Sequence, residues 1–139
     1  MANILKILLA AWLLIGALPL SASEPERWDC IVEDFRTADN NDEDFRQANL
    51  DKKFELIISD KDVIVKSMSS TFSDSEMRYL ITDRKFIEVT AIGESIVNTD
   101  IIVFSEDRVS GGFFNATITI QGSFFVNSWI LGCGTLPGA

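Results

Sequence analysis

Apolar and polar residues alternate along most of the chain after position 27. The clearest case is 113–121, where Phe114, Ala116, Ile118 and Ile120 fall on one face and Asn115, Thr117, Thr119 and Gln121 on the other. A period of two is that of a strand with one face buried. Trp28, Cys30 and Val32 share a face in the same way, and so do Met77, Tyr79 and Ile81. Turn-forming residues interrupt the pattern at Ser59-Asp60-Lys61, Asp83-Arg84, Gly93, Asn98-Thr99-Asp100 and Gln121-Gly122-Ser123. The pattern predicts eight strands, near 28–33, 52–58, 62–68, 76–82, 85–92, 100–105, 113–121 and 123–133.

Two segments depart from it. Residues 1–23 combine a weakly basic start at Lys6, an apolar run from Ile7 to Leu18, a break at Pro19 and the small residues Ser21-Ala22-Ser23. That layout predicts a cleaved signal peptide, export to a periplasmic or extracellular compartment, and one domain over 24–139 with no membrane span in the mature chain. Residues 34–51 lose the alternation and carry Asp39-Asn40-Asn41-Asp42-Glu43-Asp44 ahead of Phe45 to Leu50. They predict one long acidic loop or a short helix after the first strand. Asn41 or Asp42 would cap it, and Phe45 would share a side with Ala48 or Asn49.

The two cysteines, Cys30 and Cys133, lie near the start and end of the exported segment. In an oxidising compartment they are expected to pair, which would set the first and last strands side by side. Trp28 and Trp129 share their cysteines' faces and would pack around the bridge. Short links between antiparallel neighbours and joined ends predict an all-β, eight-stranded antiparallel up-and-down β-barrel of lipocalin or streptavidin size. The alternative is a two-sheet β-sandwich, favoured by the continuous apolar runs at 56–58, 63–65 and 101–104. Phe54, Phe86, Phe114 and Phe124 or Phe125 are expected to point inward and fill the interior.

Composition narrows the chemistry. The sequence of 139 residues has 12 basic and 21 acidic side chains, a net charge of −9, and loss of Lys6 with the leader makes the mature chain one unit more acidic. Such a surface repels nucleic acid and anionic membranes and steers towards cationic partners. There is no histidine, so a Ser-His-Asp or Cys-His site and an imidazole zinc site cannot be built. No glycine-rich phosphate loop occurs, no carboxylate spacing singles out a catalytic pair, and no cofactor is expected. Asp39, Asn41 and Glu43 alternate as the first ligands of a calcium loop do, but Asp44 stands where that loop needs glycine and Leu50 where it needs glutamate. The stretch Asp39, Asn41, Asp42, Glu43 and Asp44 is therefore a candidate weak calcium or partner loop. Asn115-Ala116-Thr117 is an N-glycosylation sequon, relevant in a eukaryotic source.

The order of leader, early cysteine, eight short strands and late cysteine resembles the small periplasmic barrel proteins that inhibit lysozyme. Their C-terminal signature, a tryptophan followed by a Thr-Lys-Gly run, has no counterpart in Ser128-Trp129-Ile-Leu-Gly-Cys133-Gly-Thr-Leu. The resemblance covers architecture and assigns no residue a role. Two functions are expected: a non-catalytic interaction module meeting a cationic protein through acidic loops, or a carrier of a small apolar ligand in the barrel interior. The first predicts a plugged interior, the second an open cavity of several hundred Å3.

Overall fold

A computed structural model of the chain describes residues 23–38, 42–68, 75–106 and 112–134. The expected leader lies outside them except for Ser23, as do Asp39, Asn40 and Asn41 of the acidic stretch. The described elements are β1 (Glu26–Thr37), α1 (Glu43–Leu50), β2 (Lys53–Ile58), β3 (Asp62–Met68), β4 (Ser75–Arg84), β5 (Glu88–Gly93), β6 (Thr99–Ser105), β7 (Phe113–Gln121) and β8 (Val126–Gly134). Each strand pairs antiparallel with its sequence neighbours, and β8 returns to β1 to close an up-and-down barrel. The barrel, not the sandwich, is the architecture. Closure satisfies the ladder groups of both terminal strands, which an open sheet would leave as unpaired edges.

Cys30 and Cys133 are directly opposed across the β1–β8 seam and form a disulfide spanning 103 positions. Facing rows of side chains fill the space inside. Ala91, Ile102, Ile118, Trp129 and Phe35 follow one another through the paired registers of β5, β6, β7, β8 and β1, and all five are buried. Trp28 meets Phe114 edge to face, with ring centroids 4.9 Å apart. The apolar runs that favoured a sandwich have a simpler cause. Ile57 and Ile64 point outward and are cross-strand partners, flanked in register by Arg27 and Arg78. Those long side chains reach Glu55 and Asp62, so their aliphatic stems run beside the apolar pair.

Three expectations are corrected. The first strand does not stop at Glu33. The β1–β8 register shifts between Val32 and Asp34, and the extra residue changes which positions face inward. Strict alternation would send Asp34 and Arg36 into the core, whereas the bulge sends Phe35 there, where it is buried. A second register shift, between Ile81 and Asp83, lets β4 run through Asp83-Arg84, the expected turn. The actual turn follows at Lys85–Ile87, closed by Lys85 N–H donating to the Glu88 carbonyl. Phe86 is therefore at a loop tip, 96% exposed, and does not point inward. Phe124 and Phe125 are likewise exposed, in the β7–β8 turn that Gly122 N–H closes onto the Phe125 carbonyl. Phe54 and Phe114 do face inward, joined by Phe35 and Phe104.

Candidate functional site

Because the strands alternate in direction, the β1–β2, β3–β4, β5–β6 and β7–β8 connections share one end of the barrel. That end carries α1. Asp42 is its N-cap, its Oδ1 accepting from Asp44 N–H at 2.9 Å and Phe45 N–H at 3.2 Å. Asp42, Glu43 and Asp44 are exposed at the helix N-terminus, where the macrodipole favours negative charge. Arg46 lies between Glu43, at 3.9 Å, and Asp34, at 3.6 Å. Asp34 also faces Arg36 at 3.0 Å, and the Arg36 hydrogen bond is the main reason its carboxyl is held below the usual range. The described members of the candidate calcium loop are thus a helix cap and two exposed first-turn acids. Among the described residues no group of three or more potential ligands is placed to hold a metal.

The helix is anchored from below by Trp129. Its indole Nε1–H donates to Asn49 Oδ1 at 3.2 Å, and Asn49 Nδ2–H donates to the Phe45 carbonyl at 2.8 Å. Asn49 is buried, so the two bonds satisfy a polar group that would otherwise be costly there. Phe35 stands against both Phe45 and Trp129, with centroids 5.8 Å and 5.3 Å away. Trp129 is four residues along β8 from Cys133, about 13 Å of strand. Its aromatic neighbours are Phe35 and Phe54, so its role is to dock the helix.

Lys52, just after α1, sets its ammonium 4.9 Å from the Trp129 ring centroid. Burial pulls its pKa down. Beneath it is a cavity of about 90 Å3 inside the barrel, lined by Phe54, Val65, Met77, Ile118, Ile120 and Trp129 and by the hydroxyl-bearing Ser67, Ser75 and Tyr79. This is well below the roughly 300–1,000 Å3 of drug-sized ligand sites.

Asp100 stands where the expected turn at Asn98-Thr99-Asp100 meets the expected strand 100–105. It is the second residue of β6 and fully buried, facing inward like Ile102 and Phe104. Gly93 makes room for it: a Cβ on Gly93 would lie 2.8 Å from Asp100 Cβ and 3.2 Å from Tyr79 Cε1. Neither Asp100 carboxylate oxygen has a hydrogen-bond partner among the described residues. Burial raises the Asp100 pKa and, with the nearby Asp100 charge, pushes the Tyr79 phenol up as well. A carboxyl whose folded-state pKa is raised favours folding most below its unfolded pKa. Relative stability then falls as pH rises from there through the folded-state value. Asp100→Asn is therefore expected to be the more stable form at pH 7, with the advantage shrinking towards pH 3. Urea unfolding of both proteins across that range checks it; parallel pH profiles would show that Asp100 is not the cause.

The mouth is rimmed by apolar tips. Ile96 and Val97 in the β5–β6 turn are 101% and 79% exposed, and Phe124 in the β7–β8 turn is 90% exposed. Between these turns is a shallow recess of about 380 Å3 lined by residues 96–99 and 121–123. At the opposite end Phe86 and Ile87 are exposed, and no helix lies there among the described residues. Asn115 of the sequon is exposed on the outer wall of β7, beside a second shallow recess that includes Ile87, Val103 and Thr117. Among the described residues, no helix is long and apolar enough to cross a membrane. No protein-family model, curated protein or solved structure matches the chain.

Proposed function

We propose that the protein is an exported, non-catalytic binding module that engages a cationic protein through the helix-bearing end of its barrel. The observation that carries this reading is the filled interior behind an end with exposed Ile96, Val97 and Phe124 around an open recess. A carrier of apolar ligands would need a roomy interior of several hundred Å3 open at its mouth. Solvent-facing aromatic and branched side chains at loop tips form the apolar centre of an interface once a partner covers them. The acids at Asp42, Glu43 and Asp44, on the same end, supply long-range attraction to a basic partner and set the approach rate more than the affinity. The lysozyme-inhibitor resemblance agrees with a protein partner in architecture alone.

The test is affinity capture from a periplasmic or extracellular extract by the mature domain and by an Ile96→Ser/Phe124→Ser double variant. Wild type is expected to retain one basic protein stoichiometrically, with retention falling as salt is raised. The double variant should lose it while unfolding at the wild-type temperature, since both positions are solvent-exposed. Equal capture by both proteins, or co-purifying lipid in place of a protein, would overturn the reading.

A further inference from the structure

We propose that Asp100 is a proton-operated latch on one corner of the barrel mouth. With a proton bound it stays inside and holds the β5–β6 turn as described; once ionised it swings to solvent and lifts that turn. The latch rests on the reading of this end as the docking surface, and it sets the condition under which that surface is complete.

This corner is built to move. Tyr79, Gly93, Asp100 and Ile120 form one inward row across β4, β5, β6 and β7. The β5–β6 ladder starts at Ile92 with Ile101, whereas β6 pairs with β7 from Thr99 with Gln121 onward. Thr99 and Asp100 are therefore held on one side alone. Glu94 N–H, just past β5, donates to the Arg78 carbonyl at 3.1 Å and fixes the near end of the turn. Within the turn, Val97 and Asn98 N–H donate to Ser95 Oγ at 3.3 Å and 3.1 Å, so residues 95–98 move as a unit. Ile96 and Val97 stand in solvent, and lifting them disrupts little packing. The recess lined by residues 96–99 and 121–123 lies at this same corner, so the lift removes one of its two walls.

Asp100 supplies the driving force. Both its oxygens are sealed from solvent and have no donor among the described residues. A carboxylate so placed must take a proton or leave. No neighbouring charge offsets its ionisation. β5 presents Gly93, with Glu94 beyond it exposed. β7 presents Ile120. β4 presents Met77 and Tyr79, and burial keeps the Tyr79 phenol protonated. Lys52 lies across the mouth against Trp129, with interactions of its own. Protons therefore favour the closed corner most below the ordinary carboxylate value of 3.8. The preference is lost as pH rises through the higher closed-state value.

The experiment follows the {1H}-15N NOE of residues 95–99 in the 15N-labelled mature chain from acid to pH 8. In the wild type these values should fall along one curve with its midpoint above 3.8, while those of β7 hold. In Asp100→Asn, which keeps Glu94 and every other acid, they should stay high throughout. Partner capture is then compared between the two proteins, in which the steering acids of α1 are identical and cancel. Capture should be equal in acid and weaker in the wild type at pH 8 by about fivefold or more, the inverse of its closed fraction. Flat wild-type values, or an equal fall in Asp100→Asn, would overturn the latch and leave the docking end standing. A fall confined to the wild type, with no protein captured by either, would overturn the docking end and leave the latch standing. Equal capture at pH 8 despite a moving turn would overturn the latch's control of docking.

Discussion

Replacing both cysteines, Cys30→Ala with Cys133→Ala, is expected to lower unfolding stability by about 4–5 kcal/mol. The bridge spans 103 positions, and the entropy removed from the unfolded chain grows with the logarithm of the loop it closes. The native state contributes less to the difference. The β1–β8 ladder pairs eight positions of β1 with β8, so the seam stays zipped without sulfur, and alanine leaves two small apolar groups in a buried site. The variant should therefore keep the barrel's circular dichroism and lose stability mainly through its unfolded state. With about 3–6 °C per kcal/mol for a domain of this size, the melting temperature should fall by roughly 12–30 °C. Calorimetry on the oxidised protein and the variant gives the number. A drop under about 1 kcal/mol would mean that the unfolded chain is already compact enough to keep its ends together.

Trp129→Ala should cost a comparable amount, about 4–6 kcal/mol. Truncating a buried tryptophan costs about 3–5 kcal/mol through lost transfer energy and the cavity left behind. Losing the indole N–H also leaves Asn49 Oδ1 without its donor in a buried position, a further penalty of about 1 kcal/mol or more. The damage is directional. Phe35, Phe54 and α1 all lean on this ring through contacts at 5.3 Å, 6.2 Å and the Asn49 bond. Amide exchange in residues 43–50 should accelerate towards that of exposed loops, while the strands around the disulfide stay protected. Trp129→Phe, which keeps most of the ring and loses only the donor, should sit between wild type and Trp129→Ala. Uniform loss of protection across the barrel in Trp129→Ala would show that helix and sheet open as one unit.

The strands were legible because period two survives in almost every one, and 113–121 shows it without a break. Closure was legible only through Cys30 and Cys133, whose pairing makes neighbours of the chain's extremes. The bulge at Glu33 was not. It reverses facing within β1, and Phe35, flanked by Asp34 and Arg36, looks like an isolated aromatic in a polar stretch. Phe86 failed for a related reason, since an extra residue in β4 moved the turn onto it. Asp100 could have been found: it has the parity of Ile102 and Phe104, and counting back from them places its carboxyl indoors. What masks it locally is Asn98-Thr99-Asp100, residue types that favour turns. The link between Asn49 and Trp129 joins positions 80 apart and leaves no local pattern. The mouth, which the proposed function uses, is therefore the least readable part of the molecule.

The β1–β8 seam also constrains how the molecule comes into being. The first strand made has its wall-closing partner in the last, so the growing sheet keeps two open margins until nearly all of the chain has emerged. Pairings of such long sequence separation form slowly. During that interval the nascent protein is at its most vulnerable to joining a sibling chain instead of itself.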